Sequence, residues 1–120
     1  MDQRIQAAIE VIQNGISGKL EIADLARQTN VSASHLRHVF KAETGLSLTQ
    51  YIKVIRMQQA ELLLRTTFLS VKEVVHRVGF STESYFSREF RRIHGLAPGK
   101  YRAKAQLDGE VRDRRQVAGQ

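Results

Sequence analysis

The sequence predicts an all-α protein of seven helices, and three observations indicate this fold class. Apolar residues recur three and four positions apart, the spacing that places them on one face of a helix. Residues that cap helices precede these apolar segments, and Gly or Asn follows most of them. The 120-residue chain has a single proline, Pro98, at a position where a helix can begin.

Local signals predict the first helices in order. Asp2 can cap the first helix, which ends at Gly15 before a turn at Gly18. Leu20 and Leu25 are spaced to form a hydrophobic staple at the start of the second helix. The third helix follows a tight turn and ends near residue 44.

The later helices have stronger start signals. Ser47 and Gln50 form a capping box at the start of a long fourth helix, and Ser70 and Glu73 form another before the fifth. The valines of the fifth helix would also suit a strand, but the capping box and their spacing favour a helix. The predicted helices span residues 2–14, 22–28, 32–44, 47–66, 70–78, 82–94 and 98–104.

The long helix carries two apolar stripes on roughly opposite sides, whereas a surface helix normally carries one. Its two stripes contain Leu48, Tyr51, Ile52, Ile55, Leu62 and Leu63 on one side and Met57, Ala60 and Leu64 on the other. The pattern is consistent with one central helix in a single core, or with a helix packed between two small units.

The segments on either side of the long helix resemble each other at an offset of about 50 residues, which favours two units. Caps, core residues and turns match in the same order: Ser32, Leu36, Phe40, Gly45, Leu46 and Tyr51 correspond to Thr82, Phe86, Phe90, Gly95, Leu96 and Tyr101.

Each copy has the pattern of a helix-turn-helix. The compact residues Ala26 and Val75 allow two helices to approach, and Asn30 and Gly79 fall where the turn needs a left-handed backbone. The sequence therefore predicts two homeodomain-like subdomains, at 1–46 and 67–105, joined by the linker helix 47–66. Residues 106–120 are polar and mixed in charge, which predicts a flexible C-terminal tail.

Composition excludes several classes of protein and favours a polyanionic partner. The chain has no cysteine, which excludes disulfides, thiolate zinc sites and cysteine nucleophiles. Its four histidines do not form a ligand set, so we expect no metal. Nothing in so small a helical chain indicates the buried, polar-lined cleft that a catalytic site needs, so we expect no cofactor and no enzymatic activity. There is no apolar run of membrane-spanning length and no signal peptide, so we expect a cytoplasmic, nucleoid-associated protein without a membrane partner. The net charge of +7 favours binding to nucleic acid.

The outward faces of the third and sixth helices carry side chains that can read DNA. Polar and cationic side chains can bond to base edges in a major groove, and the base-reading candidates are Ser34, Arg37, His38, Glu83, Ser84, Ser87 and Arg88. Cations and helix caps nearby can bind phosphates, and these candidates are Ser32, Lys41, Thr82, Arg91, Arg92, Lys100 and Arg102.

These segments resemble the DNA-binding domain of the AraC/XylS family of bacterial transcription regulators. The most specific match is VGFSTESYFSREFRRIHGLAPGKYR, at 78–102, and the resemblance covers about residues 3–104. It implies seven helices, with both second helices of the helix-turn-helix units inserted into successive major grooves of double-stranded DNA. It also implies a regulator, most often an activator, that contacts RNA polymerase.

Two further alternatives concern the protein as a whole. The chain is either a short stand-alone regulator of the MarA-like type or a domain of a longer one, and we expect this domain alone to be monomeric. A protein-interaction module that docks a partner such as RNA polymerase without reading DNA is the alternative function. The polar and cationic outward faces favour DNA reading over that alternative.

Overall fold

The computed structural model describes residues 2–14 and 22–118, with side chains described as far as residue 109. These residues form seven helices and no strand, which confirms the predicted fold class. The helices are α1 (Gln3–Asn14), α2 (Ile22–Gln28), α3 (Ala33–Thr44), α4 (Leu48–Thr66), α5 (Val71–Val78), α6 (Glu83–His94) and α7 (Pro98–Ala118). Within the described ranges, no helix is long and apolar enough to span a membrane. The turn predicted at Gly15 and Gly18 and the staple residue Leu20 lie outside the described residues.

The chain divides into two compact units. The first unit comprises Met1–Gln59 and Arg77–Gly79, and the second comprises Ala60–His76 and Phe80–Gln120.

The core of the first unit is an apolar cluster supplied by α1, α2, α3 and the first half of α4. Each helix contributes residues at helical spacing, so the apolar faces meet in one place. The buried members are Ile5, Ala8, Ile12, Leu25, Ala26, Leu36, Phe40, Leu48, Ile52 and Ile55.

The core of the second unit is built around aromatic rings. Phe86 and Phe90 of α6 are fully buried, with ring centroids 5.5 Å apart. Phe80 packs on Phe86 at 5.2 Å, and Tyr101 of α7 meets Phe90 edge-on, also at 5.2 Å. The successive aromatic contacts hold α6 and α7 together.

Helix α4 begins at the predicted capping box. The Ser47 amide donates to Gln50 Oε1 at 3.0 Å, and the Gln50 amide donates to Ser47 Oγ at 3.1 Å. The equivalent box before α5 forms between Ser70 and Glu73, at 3.1 and 3.0 Å. Both starts are therefore fixed by local hydrogen bonds, as the sequence predicts.

Most of the two stripes of α4 is buried, although Tyr51 and Leu63 are half-buried and Leu62 is exposed. Leu48, Ile52 and Ile55 belong to the core of the first unit, and the opposite stripe of Met57, Ala60 and Leu64 is also buried. The prediction is wrong for Leu62, which is 49% exposed. The part of α4 that belongs to the first unit ends at Gln59, so Leu62 lies beyond the residues that pack into the core of that unit.

Helix α7 is longer than the sequence predicts. We expected a short helix ending near residue 104, but α7 runs to Ala118. No proline follows Pro98, and among residues 105–118 glycine occurs only at Gly109, so helical backbone can propagate once the first turn has formed. Residues 106–118 are therefore helical, whereas the sequence predicts irregular backbone there. The flexibility of this segment stays a prediction.

Candidate nucleic-acid interface

The turn between the two helices of each pair has the same backbone geometry. Asn30 has φ +57° and Gly79 has φ +91°, which confirms the left-handed conformation predicted for both. The amide that follows each turn residue bonds back to the first helix: Val31 to the Ala26 carbonyl and Phe80 to the Val75 carbonyl, both at 3.1 Å.

Helices α3 and α6 start alike. The Ser32 hydroxyl accepts a hydrogen bond from the His35 amide at 3.1 Å, and the Thr82 hydroxyl accepts one from the Tyr85 amide at 3.2 Å. Each cap satisfies an amide that has no partner inside its helix.

The two helices also end alike. Gly45 and Gly95 have φ near +80°, and their amides donate to the carbonyls of Lys41 and Arg91 at 2.9 and 2.8 Å. A glycine in this left-handed conformation terminates a helix without the steric cost that a side chain would impose. Helices α3 and α6 are therefore the same length and begin and end in the same way.

The buried faces of α3 and α6 determine which side chains face outward. Leu36 and Phe40 are fully buried in α3, as are Phe86 and Phe90 in α6. Phe40 is met edge-on by Tyr51 at 5.2 Å, the same contact that Phe90 makes with Tyr101.

The remaining face of each helix is polar and turned to solvent. Exposed positions follow the spacing i, i+3, i+4, i+7, which forms one stripe along a helix. On α3 these residues are Ser34, Arg37, His38 and Lys41, and on α6 they are Ser84, Ser87, Arg88 and Arg91. All are exposed except Ser87, which is half-buried, and Glu83 in the first turn of α6 is also exposed. The structure thus brings the predicted base readers together as one group on each helix.

Arg88 is held against an aromatic ring. Its guanidinium carbon lies 5.8 Å from the centroid of the Tyr85 ring, within the range of a cation–π interaction. We did not predict Tyr85 as part of the site, although its place three residues before Arg88 puts the two side chains on neighbouring positions of the helix.

Most of the predicted phosphate contacts are exposed. Solvent reaches Ser32, Lys41, Thr82, Arg91, Arg92 and Lys100. Arg92 also pairs with Glu89, its Nε donating to Oε2 at 3.1 Å, and this hydrogen bond raises the pKa of the guanidinium. The Glu89 carboxylate thus offsets part of the charge that Arg92 would offer to DNA.

Arg102 is placed differently from the other phosphate candidates. The residue is half-buried, and its Nε donates to the Leu64 carbonyl near the end of α4 at 3.0 Å. One terminal nitrogen of its guanidinium is buried without a hydrogen-bond partner. This geometry favours an anchoring role for Arg102 over the phosphate contact predicted from the sequence.

Residues that could hold a metal do not converge in the described part of the chain. No group of three or more His, Asp or Glu side chains with metal-binding geometry occurs there. Of the four histidines, His35, His38 and His76 are exposed, and His94 stacks on Phe90 with ring centroids 4.3 Å apart.

Two capped helix-turn-helix pairs with polar, cationic second helices define a class of protein: the double helix-turn-helix DNA-binding domain of transcription regulators. Residues 25–104 match a family model described as a helix-turn-helix domain. The chain belongs to this family, and its relatives and structural neighbours identify it as an AraC-type domain.

A curated relative and two solved structures illustrate the similarity. The arabinose operon regulatory protein of Escherichia coli K12 is 35% identical over 104 residues, covering 86% of this chain and 36% of that protein. The C-terminal domain of AraT, a response regulator from Geobacillus stearothermophilus, is 34% identical with a TM-score of 0.78, and the match covers 86% of each chain. The DNA-binding domain of AdpA, solved in complex with a target DNA, is 27% identical with a TM-score of 0.80, covering 88% of this chain and 95% of that one. The chain spans about a third of the length of the curated relatives it matches.

Proposed function

We propose that this domain recognises a specific sequence in double-stranded DNA by inserting α3 and α6 into successive major grooves. The observation that carries the proposal is the pair of equivalent polar stripes, 50 residues apart, on helices with matching caps and matching cores. A helix-turn-helix reads DNA with the exposed face of its second helix, and this chain presents that face twice.

The proposed DNA-contacting side chains on and beside these stripes divide into two roles. Arg88 and Arg37 can each donate two hydrogen bonds to guanine, whereas Ser34, Ser84 and Ser87 can donate to or accept from several bases. His38 and Glu83 complete the base-reading set. Ser32, Lys41, Thr82, Arg91, Arg92 and Lys100 bind phosphates, which orients the helices without selecting a sequence. Arg102 joins α7 to the end of α4 by its hydrogen bond to the Leu64 carbonyl and is not included in the phosphate-binding set.

We extend the proposal to the protein as a whole. It is a bacterial transcription regulator, inside the cell and associated with the nucleoid, that activates transcription through contact with RNA polymerase. Several relatives are named as transcriptional regulators, and RhaR of Mannheimia succiniciproducens is named as a transcriptional activator. The domain binds as a monomer, uses no cofactor and catalyses no reaction.

The alternative function is that of a protein-interaction module, and the outward faces of α3 and α6 do not favour it. The central residues of protein interfaces are typically aromatic or aliphatic. The exposed stripes here consist of serine, histidine, arginine and lysine.

Selection from a pool of random DNA duplexes tests the proposal. We expect the domain to enrich a defined sequence, with an affinity that falls steeply as salt rises because cations contact phosphates. Arg88→Ala should cost about 1–3 kcal/mol on the selected duplex and relax preference at one base pair. Lys41→Ala is the matched control, and it should weaken binding to all sequences alike.

Two results would contradict these assignments. The absence of any enriched sequence would favour the interaction module. An Arg88→Ala protein that selects the same sequence as the wild type would remove Arg88 from the base-reading set.

A further inference from the structure

We infer that Tyr85 is a specificity-determining residue that positions Arg88 for base reading before DNA is bound. The inference rests on the proposed function, because it concerns how α6 reads a base. It assigns to the Tyr85 ring a role in selectivity, separate from the phosphate contacts that provide general affinity.

The Tyr85 residue is held by a hydrogen bond at its backbone and by a neighbouring aromatic ring. Its own amide donates to the Thr82 cap at 3.2 Å, so its backbone sits in the ordered first turn of α6. Its ring packs against Phe80, with centroids 6.2 Å apart, and Phe80 in turn packs on the buried Phe86 at 5.2 Å. A line of aromatic contacts therefore runs from the core of the second unit to the ring beneath Arg88.

The Tyr85 ring is also exposed enough to contact the Arg88 side chain. Tyr85 is 36% exposed, so it is anchored on one side and reachable by a cation on the other. The Arg88 guanidinium carbon is 5.8 Å from the ring centroid. Arginine stacks on aromatic rings while its hydrogen-bond donors remain free at the edge of the guanidinium plane. Arg88 can therefore keep this contact and still present its donors to a base.

Restricting Arg88 in this way favours binding to the correct base. A long, flexible side chain loses conformational freedom when it forms a fixed pair of hydrogen bonds, and prior restriction reduces that loss. The benefit arises only where the two hydrogen bonds form, so it raises discrimination at one base pair more than it raises affinity for DNA in general.

Two substitutions separate the ring from its hydroxyl group. Tyr85→Phe keeps the ring and removes the hydroxyl, whereas Tyr85→Leu keeps apolar bulk and removes the ring. Affinities are measured for the selected duplex and for a duplex altered only at the base pair that Arg88→Ala identifies. We expect Tyr85→Phe to retain wild-type discrimination and Tyr85→Leu to lower it by a factor of about two to five, the effect of one exposed cation–π contact.

Two controls show whether the effect passes through Arg88. In an Arg88→Ala background, Tyr85→Leu should produce no further loss of discrimination, since its partner is absent. Discrimination at base pairs read by α3 should be unchanged in all of these proteins, and its retention also shows that the Tyr85→Leu protein is folded.

Each contrary result identifies what has failed. If Tyr85→Leu keeps full discrimination, or lowers it equally with and without Arg88, the positioning role of Tyr85 is wrong while the proposed function stands. If Tyr85→Phe is as defective as Tyr85→Leu, the hydroxyl group acts and the ring does not. If the wild type discriminates at no base pair, both this inference and the proposed function fall.

Discussion

Arginine side chains in the second unit differ in role because their surroundings differ. Arg88 is exposed and lies over the Tyr85 ring, Arg92 is paired with a carboxylate, and Arg102 is half-buried against a backbone carbonyl. An arginine whose donors already bond to protein has fewer donors left for DNA. Residue type alone therefore does not identify a phosphate contact.

Substitution of Arg102 tests the anchoring role at this scale. Arg102→Ala removes a charge-assisted hydrogen bond to the Leu64 carbonyl, and we expect the free energy of unfolding to fall by about 1.5–3 kcal/mol. Urea denaturation measures the loss. Lys100→Ala is the matched control, an exposed cation on the same helix that should leave stability nearly unchanged.

The salt dependence of DNA binding distinguishes anchoring from phosphate contact. If Arg102 is an anchor, the slope of log affinity against log salt is the same for Arg102→Ala and the wild type. Unchanged stability together with a slope smaller by about one would return Arg102 to the phosphate-contacting set.

The elements that the sequence predicts best are those whose signals are local. Capping boxes, the caps of α3 and α6, and the left-handed residues Asn30 and Gly79 each depend on a few neighbouring residues. Buried positions such as Phe40 and Phe90 follow from helical periodicity. These features account for the course of the chain from α2 to the start of α7.

The features that the sequence does not predict depend on residues far apart in the chain or on how far a helix extends. The bond between Arg102 and Leu64 joins residues 38 positions apart, and no local pattern indicates it. The exposure of Leu62 depends on where the core of the first unit ends along α4. The polar composition of residues 106–120 predicts disorder, yet α7 extends to Ala118. Polar composition alone does not end a helix where no proline interrupts it.

The glycine that ends α6 provides a test at the element scale. Gly95 has φ +81°, so Gly95→Ala should lower the free energy of unfolding by about 1–2 kcal/mol through backbone strain. Gly99, in the first turn of α7, has open space around the position of an added methyl group and no positive φ. Gly99→Ala should therefore stabilise the protein by about 0.4–1 kcal/mol. Thermal or urea denaturation compares the two, and equal effects of the same sign would contradict this account of the helix end.

At the scale of the whole molecule, the repeat determines what the domain can recognise. Two helix-turn-helix pairs of different sequence present His38 and Arg88 at equivalent positions, and Arg37 and Ser87 at the next pair. Equivalent positions with different side chains read different bases, so the two halves of a recognised site should differ in sequence. Such a site is asymmetric, so the domain binds it in one orientation. A palindromic site that two identical subunits bind is symmetric.

The most direct test of the central claim is the profile of DNA sequences selected by three proteins. We predict that the wild type enriches two blocks of preferred bases, with centres about ten base pairs apart. The double variant Arg37→Ala, His38→Ala should lose one block and keep the other, and Arg88→Ala should weaken the second block and keep the first. A single block altered by both sets of substitutions, or no block at all, would contradict the claim that both helices read DNA.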